Sequence, residues 1–148
     1  MSDRIHVPPA MALINRLLAM SRSESERGMV VLAMSFMEER LRVLVKKRAD
    51  LNGCIEEAQA KTLLQKSTIE NLHNLRRARN KFAHNWDVDT LDHVEVKPFI
   101  DNLIIESDWT MPERIHSKYY VSNVLAYTAG EINRQIIILG IEAVYPAP

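Results

Sequence analysis

Apolar residues recur along this chain at three- and four-residue steps, the spacing that gathers them on one face of an α-helix. Met11, Ile14 and Leu18 follow Pro8-Pro9. Proline suits the first position of a helix, so the pattern predicts a short amphipathic helix through about Met20. Val30, Met34, Met37, Leu41 and Leu44 form the stripe of a long second helix. A capping box in Ser23-Glu24-Ser25-Glu26 opens it, and Asn52-Gly53 is its predicted end. A weaker helix is expected over Ile55 to Gln65. Ser67-Thr68-Ile69-Glu70 offers another capping box, ahead of a fourth helix carrying Ile69, Leu72, Leu75 and Phe82.

From Asn85 to Val96 the helical rhythm stops and acidic residues take over, which predicts a loop with a short extended piece. Pro98 is the expected start of a short helix with Phe99, Leu103 and Ile104, closed by a loop at Trp109 to Pro112. The last helix, about Ser117 to Val144, sets Val121, Val124, Thr128, Ile132, Gln135 and Leu139 on one side. Gly130 within it costs about 1 kcal/mol relative to alanine, which points to close packing or a bend there.

These elements add up to an all-α, single-domain helical bundle over residues 1–148, with no repeat, low-complexity tract or linker to divide it. A chain of 148 residues buries roughly two-thirds of its unfolded surface, enough for a real core. With 47% apolar and 26% charged residues and only four glycines, the composition is that of a globular helical protein. A single cysteine, Cys54, excludes an intrachain disulfide and a cysteine-based zinc site. The N-terminus has no signal-peptide core, because Pro8-Pro9 precede the apolar run and Asn15-Arg16 interrupt it. Tyr119 to Gly130 is too short and too polar to cross a bilayer. The expected location is the cytoplasm, with no membrane partner and no cofactor.

Nineteen basic and nineteen acidic residues cancel, so any attraction to nucleic acid must be local. The fourth helix supplies such a place: Arg76, Arg77, Arg79 and Lys81 occur with no acidic residue between Glu70 and Asp87. They surround Arg79-Asn80-Lys81-Phe82-Ala83-His84. Arginine offers a planar, permanent charge suited to phosphate, histidine transfers protons near neutral pH, and asparagine orients either group. These are the residue types that RNA cleavage without a metal needs: His84 to move a proton, Arg79 to stabilise charge on the phosphorane-like transition state. On an ideal helix Asn80 and His84 share a face, but Arg79 lies about 140° from His84. A joint site then requires the last turn to unwind, or a second chain to supply one of the two.

The motif Arg79 to His84 resembles the signature of HEPN-type ribonucleases, in which an arginine and a following polar residue precede a histidine on a helix. The resemblance implies a homodimer whose two motifs face one cleft, with Arg79, Asn80 and His84 catalytic and Arg76, Arg77 and Lys81 holding RNA. A wider stretch, about residues 23–85, resembles the mannitol operon repressor (MltR) family: Glu24-Ser25-Glu26-Arg27-Gly28 with the helix to Leu44, and Leu75 to His84. That resemblance implies the alternative function, a transcriptional regulator or interaction module that acts through a protein partner or inhibitor without cleaving RNA. The chain has no convincing helix-turn-helix.

Blander readings stand beside these. His84 can serve to stabilise a helix C-terminus while the arginines pair with acids elsewhere in the fold. Asp87, Asp89, Asp92, His93 and Glu95 lack the glycine and terminal glutamate of a calcium loop, so a solvated acidic loop is expected and no metal site. His6, His73, His93 and His116 read as ordinary surface or packing residues, and Met29, Met34 and Met37 as core or dimer packing.

Overall fold

The computed structural model describes residues 9–104 and 118–142, with the backbone alone for 9–11. Six helices follow in order: α1 (Pro9–Ser23), α2 (Glu26–Val45), α3 (Leu51–Ala60), α4 (Lys66–His84), α5 (Lys97–Asp101) and α6 (Lys118–Ile138). No strand occurs among the described residues, and no helix among them is long and apolar enough to cross a membrane. The expected Trp109–Pro112 loop, His6 and His116 lie outside the described residues.

Helix α2 is the axis of the bundle and packs against α1, α3, α4 and α6. Its expected stripe is the core: Val30, Met34, Met37, Leu41 and Leu44 are buried together with Met29 and Ala33. Each of the larger side chains contributes roughly 1.5–3 kcal/mol on burial. The cap lies two residues later than the Ser23 box implies. Ser25 is the N-cap, its hydroxyl accepting from the Gly28 amide at 3.0 Å. Glu26 instead reaches across the fold, accepting from the Leu91 amide at 3.0 Å, and Arg27 donates to the Trp86 carbonyl at 2.9 Å. The first turn of α2 therefore anchors the segment that follows α4.

Asn52-Gly53 does not end α2. The helix stops at Val45, where Lys46 takes a left-handed conformation with φ 55°. Asp50 then caps α3, accepting from the Gly53 amide at 2.8 Å, so Asn52-Gly53 sits in the first turn of the next helix. Asp50 is an N-cap residue of the strongest type, and its capping bond outweighs the turn tendency of Asn-Gly.

The start of α4 also differs from the local motif. Ser67 falls inside the first turn, and Gln65 is the N-cap without a side-chain bond of its own. Glu131 of α6, itself buried, supplies the carboxylate: it accepts from the Gln65 amide at 3.1 Å and from the Thr68 hydroxyl. A residue 66 positions away thus accepts from the N-cap amide of α4 and places a carboxylate at the helix's N-terminal end. Farther along α4, Asn71 clamps Ile104 from both sides, accepting its amide at 2.7 Å and donating to its carbonyl at 2.8 Å.

Between α4 and α5 the chain forms a series of turns rather than an extended piece. Val88, Leu91 and Val96 point into the core while Asp87, Asp89, Asp92 and Glu95 remain exposed, as a solvated acidic loop should. In α6, Val121, Val124, Thr128 and Ile132 are buried as expected, but Ile136 continues the inner face. Leu139 lies beyond the helix end and is half exposed. A Cβ on Gly130 would meet Ile14 Cδ1 at 3.7 Å, an ordinary contact, so packing does not demand glycine there. Buried Arg40 ties α2 to α6 by donating to Asn133 at 2.8 Å and pairing with Glu142.

Candidate active site on helix α4

Helix α4 presents its core face through Leu72, Leu75, Ala78 and Phe82. The opposite face therefore carries His73, Arg77, Asn80 and His84, spaced four, three and four residues apart, with Arg76 at its flank. His84 is the last residue of the helix and is exposed. The helix is regular to that point: the Asn85 amide bonds to the Lys81 carbonyl at 3.0 Å. The expected unwinding of the last turn does not occur, because Asn85 caps the helix in an extended conformation immediately after His84. Within one chain the backbone positions of Arg79 and His84 thus remain about 140° apart.

The Arg79 side chain narrows that gap. Arg79 leaves α4 beside the core face, half-buried, and its Nη1 pairs with Glu38 Oε2 of α2 at 3.3 Å. Its Nη2 turns toward Asn80 and lies 3.4 Å from Oδ1, on the face that also holds His84. Glu38 is shared, since its other oxygen accepts from Arg42 Nη2 at 2.7 Å. Lys81 pairs with Glu95 of the acidic loop at 3.7 Å, and Asn85 donates to the same carboxyl group at 3.5 Å.

The four basic side chains among the six expected residues, Arg76, Arg77, Arg79 and Lys81, therefore fall into two groups. Arg79 and Lys81 have carboxylate partners, as the blander reading of the arginines anticipates; Arg76 and Arg77 have none among the described residues. Arg76 is half-buried and Arg77 exposed. Burial, and then the neighbouring Arg77 and Arg79, pushes the Arg76 guanidinium below its ordinary pKa. His73, half-buried one turn earlier, is pushed down by burial and then by Arg76 and Arg77. Two residues after His84, the Trp86 ring is 86% exposed even though its carbonyl is held by Arg27. A cleft of about 390 Å³ lined by Arg42, Arg48, Ala49 and Asp50 opens near the Glu38 bridge.

Glu38, Arg42, His73 and Trp86 are absent from the sequence-based site. The Glu38–Arg42 spacing of four is a helical pair that sequence reveals, but its junction with Arg79, 41 residues onward, is not. Among the described residues no three His, Cys, Asp or Glu side chains come together to hold a metal ion. Cys54 is buried, and desolvation raises its thiol pKa, which makes it a packing residue rather than a nucleophile. No family model matches the chain, and no curated protein or solved structure matches it.

Proposed function

We propose that this protein is an HEPN-type endoribonuclease that needs no metal and works as a homodimer, with Arg79, Asn80 and His84 at the reacting phosphate and Arg76, Arg77 and Lys81 assisting RNA binding. The observation that carries this reading is the Arg79 fork turned toward Asn80, on the face where His84 stands exposed at the helix end. A second copy laid against this face brings two histidines to one cleft. His84 of one copy takes the proton from the ribose 2′-hydroxyl, and the 2′-oxygen attacks phosphorus. The bond to the 5′-oxygen breaks, and His84 of the partner subunit returns a proton to that oxygen. Arg79 stabilises the charge gathering on the phosphoryl oxygens. The products are a 2′,3′-cyclic phosphate and a 5′-hydroxyl. Trp86 offers a ring on which an unpaired base can stack.

The test is purified protein with cellular RNA in the presence of a chelator. His84→Ala is expected to lower cleavage by roughly 10²- to 10⁴-fold, the usual consequence of losing a general acid or base. Arg79→Lys keeps the charge but loses the fork and is also expected to slow turnover. Undiminished cleavage in both variants refutes the assignment.

One observation favours a second reading. Glu38 holds Arg79 within the fold, which suits an MltR-like regulatory or interaction module whose motif is structural and whose effect passes through a protein partner. An inert wild-type protein that binds an operator or a partner decides for that reading.

A further inference from the structure

Two buried nitrogen atoms on α4 have no hydrogen-bond partner, and they belong to residues three positions apart. His73 Nδ1 and Arg76 Nε are both shielded and unbonded. The third such atom, Asn133 Nδ2, lies elsewhere, in the network around Arg40. Residues three apart on a helix are neighbours, with Cβ atoms about 5–6 Å from one another. Folded proteins satisfy nearly all buried polar groups, so a pair of adjacent exceptions marks a place where the fold leaves its own polar side chains without partners, their outer nitrogens free to meet a ligand.

Charge points the same way. Arg40, Arg42 and Arg79 each have a carboxylate in contact, whereas Arg76 and its neighbour Arg77 have none among the described residues. Two acidic groups at α3, Asp50 and Glu56, act on Arg76 through the field alone, and Glu56 is the acidic group that acts on His73. The fold thus holds His73 and Arg76 against desolvation and beside the exposed cation of Arg77, with no carboxylate in contact. The ligand that completes such a cluster is an anion with several acceptor oxygens. A tetrahedral phosphate can meet two guanidinium groups and an imidazole N–H at once, while a flat carboxylate suits one fork.

We propose that His73, Arg76 and Arg77 form a phosphate-binding site. Resting on the RNA-cleaving reading above, it seats a backbone phosphate of the substrate roughly 10–17 Å along the helix axis from His84. His73, Arg77, Asn80 and His84 share one face, so a strand laid along α4 touches the binding and reacting positions together. A bound backbone phosphodiester, whose charge is constant near neutral pH, favours the imidazolium form of His73, so binding of the oligonucleotide strengthens as pH falls below neutral.

The experiment uses the full chain with two probes: inorganic phosphate, and a 2′-O-methyl oligouridylate that lacks the attacking hydroxyl. Proton NMR follows the His73 ring, calorimetry gives the affinities, and melting is recorded without ligand. Phosphate is expected to raise the His73 pKa, and Arg76→Gln to weaken both probes at least about tenfold, the worth of one charged hydrogen bond. His73→Gln is expected to weaken binding most at low pH. Arg76→Met is expected to raise the melting temperature of the ligand-free protein, because it removes an uncompensated cation. A lower melting temperature assigns Arg76 to the fold and overturns the proposal. So does an unmoved His73 resonance, or wild-type affinity in Arg76→Gln. Phosphate binding without oligonucleotide binding overturns the backbone assignment in favour of a free phosphate. If both probes bind while RNA is not cleaved, the nuclease reading falls and this site stands.

Discussion

The two ends of α4 handle their polar groups in opposite ways. In the first two turns the polar groups are met from inside the fold: Glu131 accepts from the Gln65 amide and the Thr68 hydroxyl, and Asn71 clamps both backbone groups of Ile104. From His73 to its end the same helix carries half-buried His73 and Arg76 with unbonded nitrogens, an Arg77 with no carboxylate partner among the described residues and an exposed His84. Buried apolar side chains run the length of the helix, from Ile69 through Leu72, Leu75 and Ala78 to Phe82, so both parts have a core face. Satisfied buried polar groups stabilise and specify a fold, while cations kept without partners weaken it and remain available to ligands.

Stability measurements test that contrast directly. Glu131→Ala is expected to have the largest effect, a loss of about 2–3 kcal/mol in denaturant unfolding, because the buried Thr68 hydroxyl and the part-buried Gln65 amide both lose their acceptor. A loss comparable to that of a surface substitution would remove the distinction between the two ends. Next comes the Glu38–Arg79 pair, whose side chains are 19% and 23% exposed. A double-mutant cycle with Glu38→Gln and Arg79→Gln is expected to give a coupling of about 1 kcal/mol, between the values for exposed and fully buried pairs. Coupling near zero would place Arg79 wholly with the open end. Gly130→Ala, beside Glu131 on α6, is expected to stabilise by about 0.4–1 kcal/mol, since the added methyl meets only Ile14 at 3.7 Å. Destabilisation would show that α6 needs glycine there. The smallest change is expected for His84→Ala, within about 0.5 kcal/mol of wild type, as for an exposed residue that holds nothing together. Unfolding of that variant would make the histidine structural.

What the sequence made legible follows the range of the interactions involved. The helices appear in order because their apolar stripes are local: the buried faces of α2 and α4 coincide with the spacing of Val30 to Leu44 and of Ile69 to Phe82. Boundaries were harder where two local signals compete. Asp50 as a cap overrides Asn52-Gly53 as a stop, and α2 ends instead at Lys46, whose left-handed backbone no residue type announces. The start of α4 was illegible for another reason, since its cap comes from Glu131 on a different helix. For the site, the run of basic residues and the face shared by Asn80 and His84 are properties of one helix and could be read directly. That Arg79 joins Glu38 and Arg42, or that His73 belongs with Arg76 rather than among scattered histidines, depends on how α2, α3 and α4 meet.

The Glu131 carboxylate has a consequence for the order in which the chain acquires structure during synthesis. Residues 65 to 68 leave the ribosome long before residue 131, so the opening turn of α4 has no cap while α1 to α4 are already available to collapse. That turn frays until α6 arrives, and its amides become exchange-protected only when the last helix docks. In hydrogen–deuterium exchange the first turn of α4 therefore reports on α6, and the two are expected to open together as one cooperative unit although 33 residues lie between the end of α4 and the start of α6.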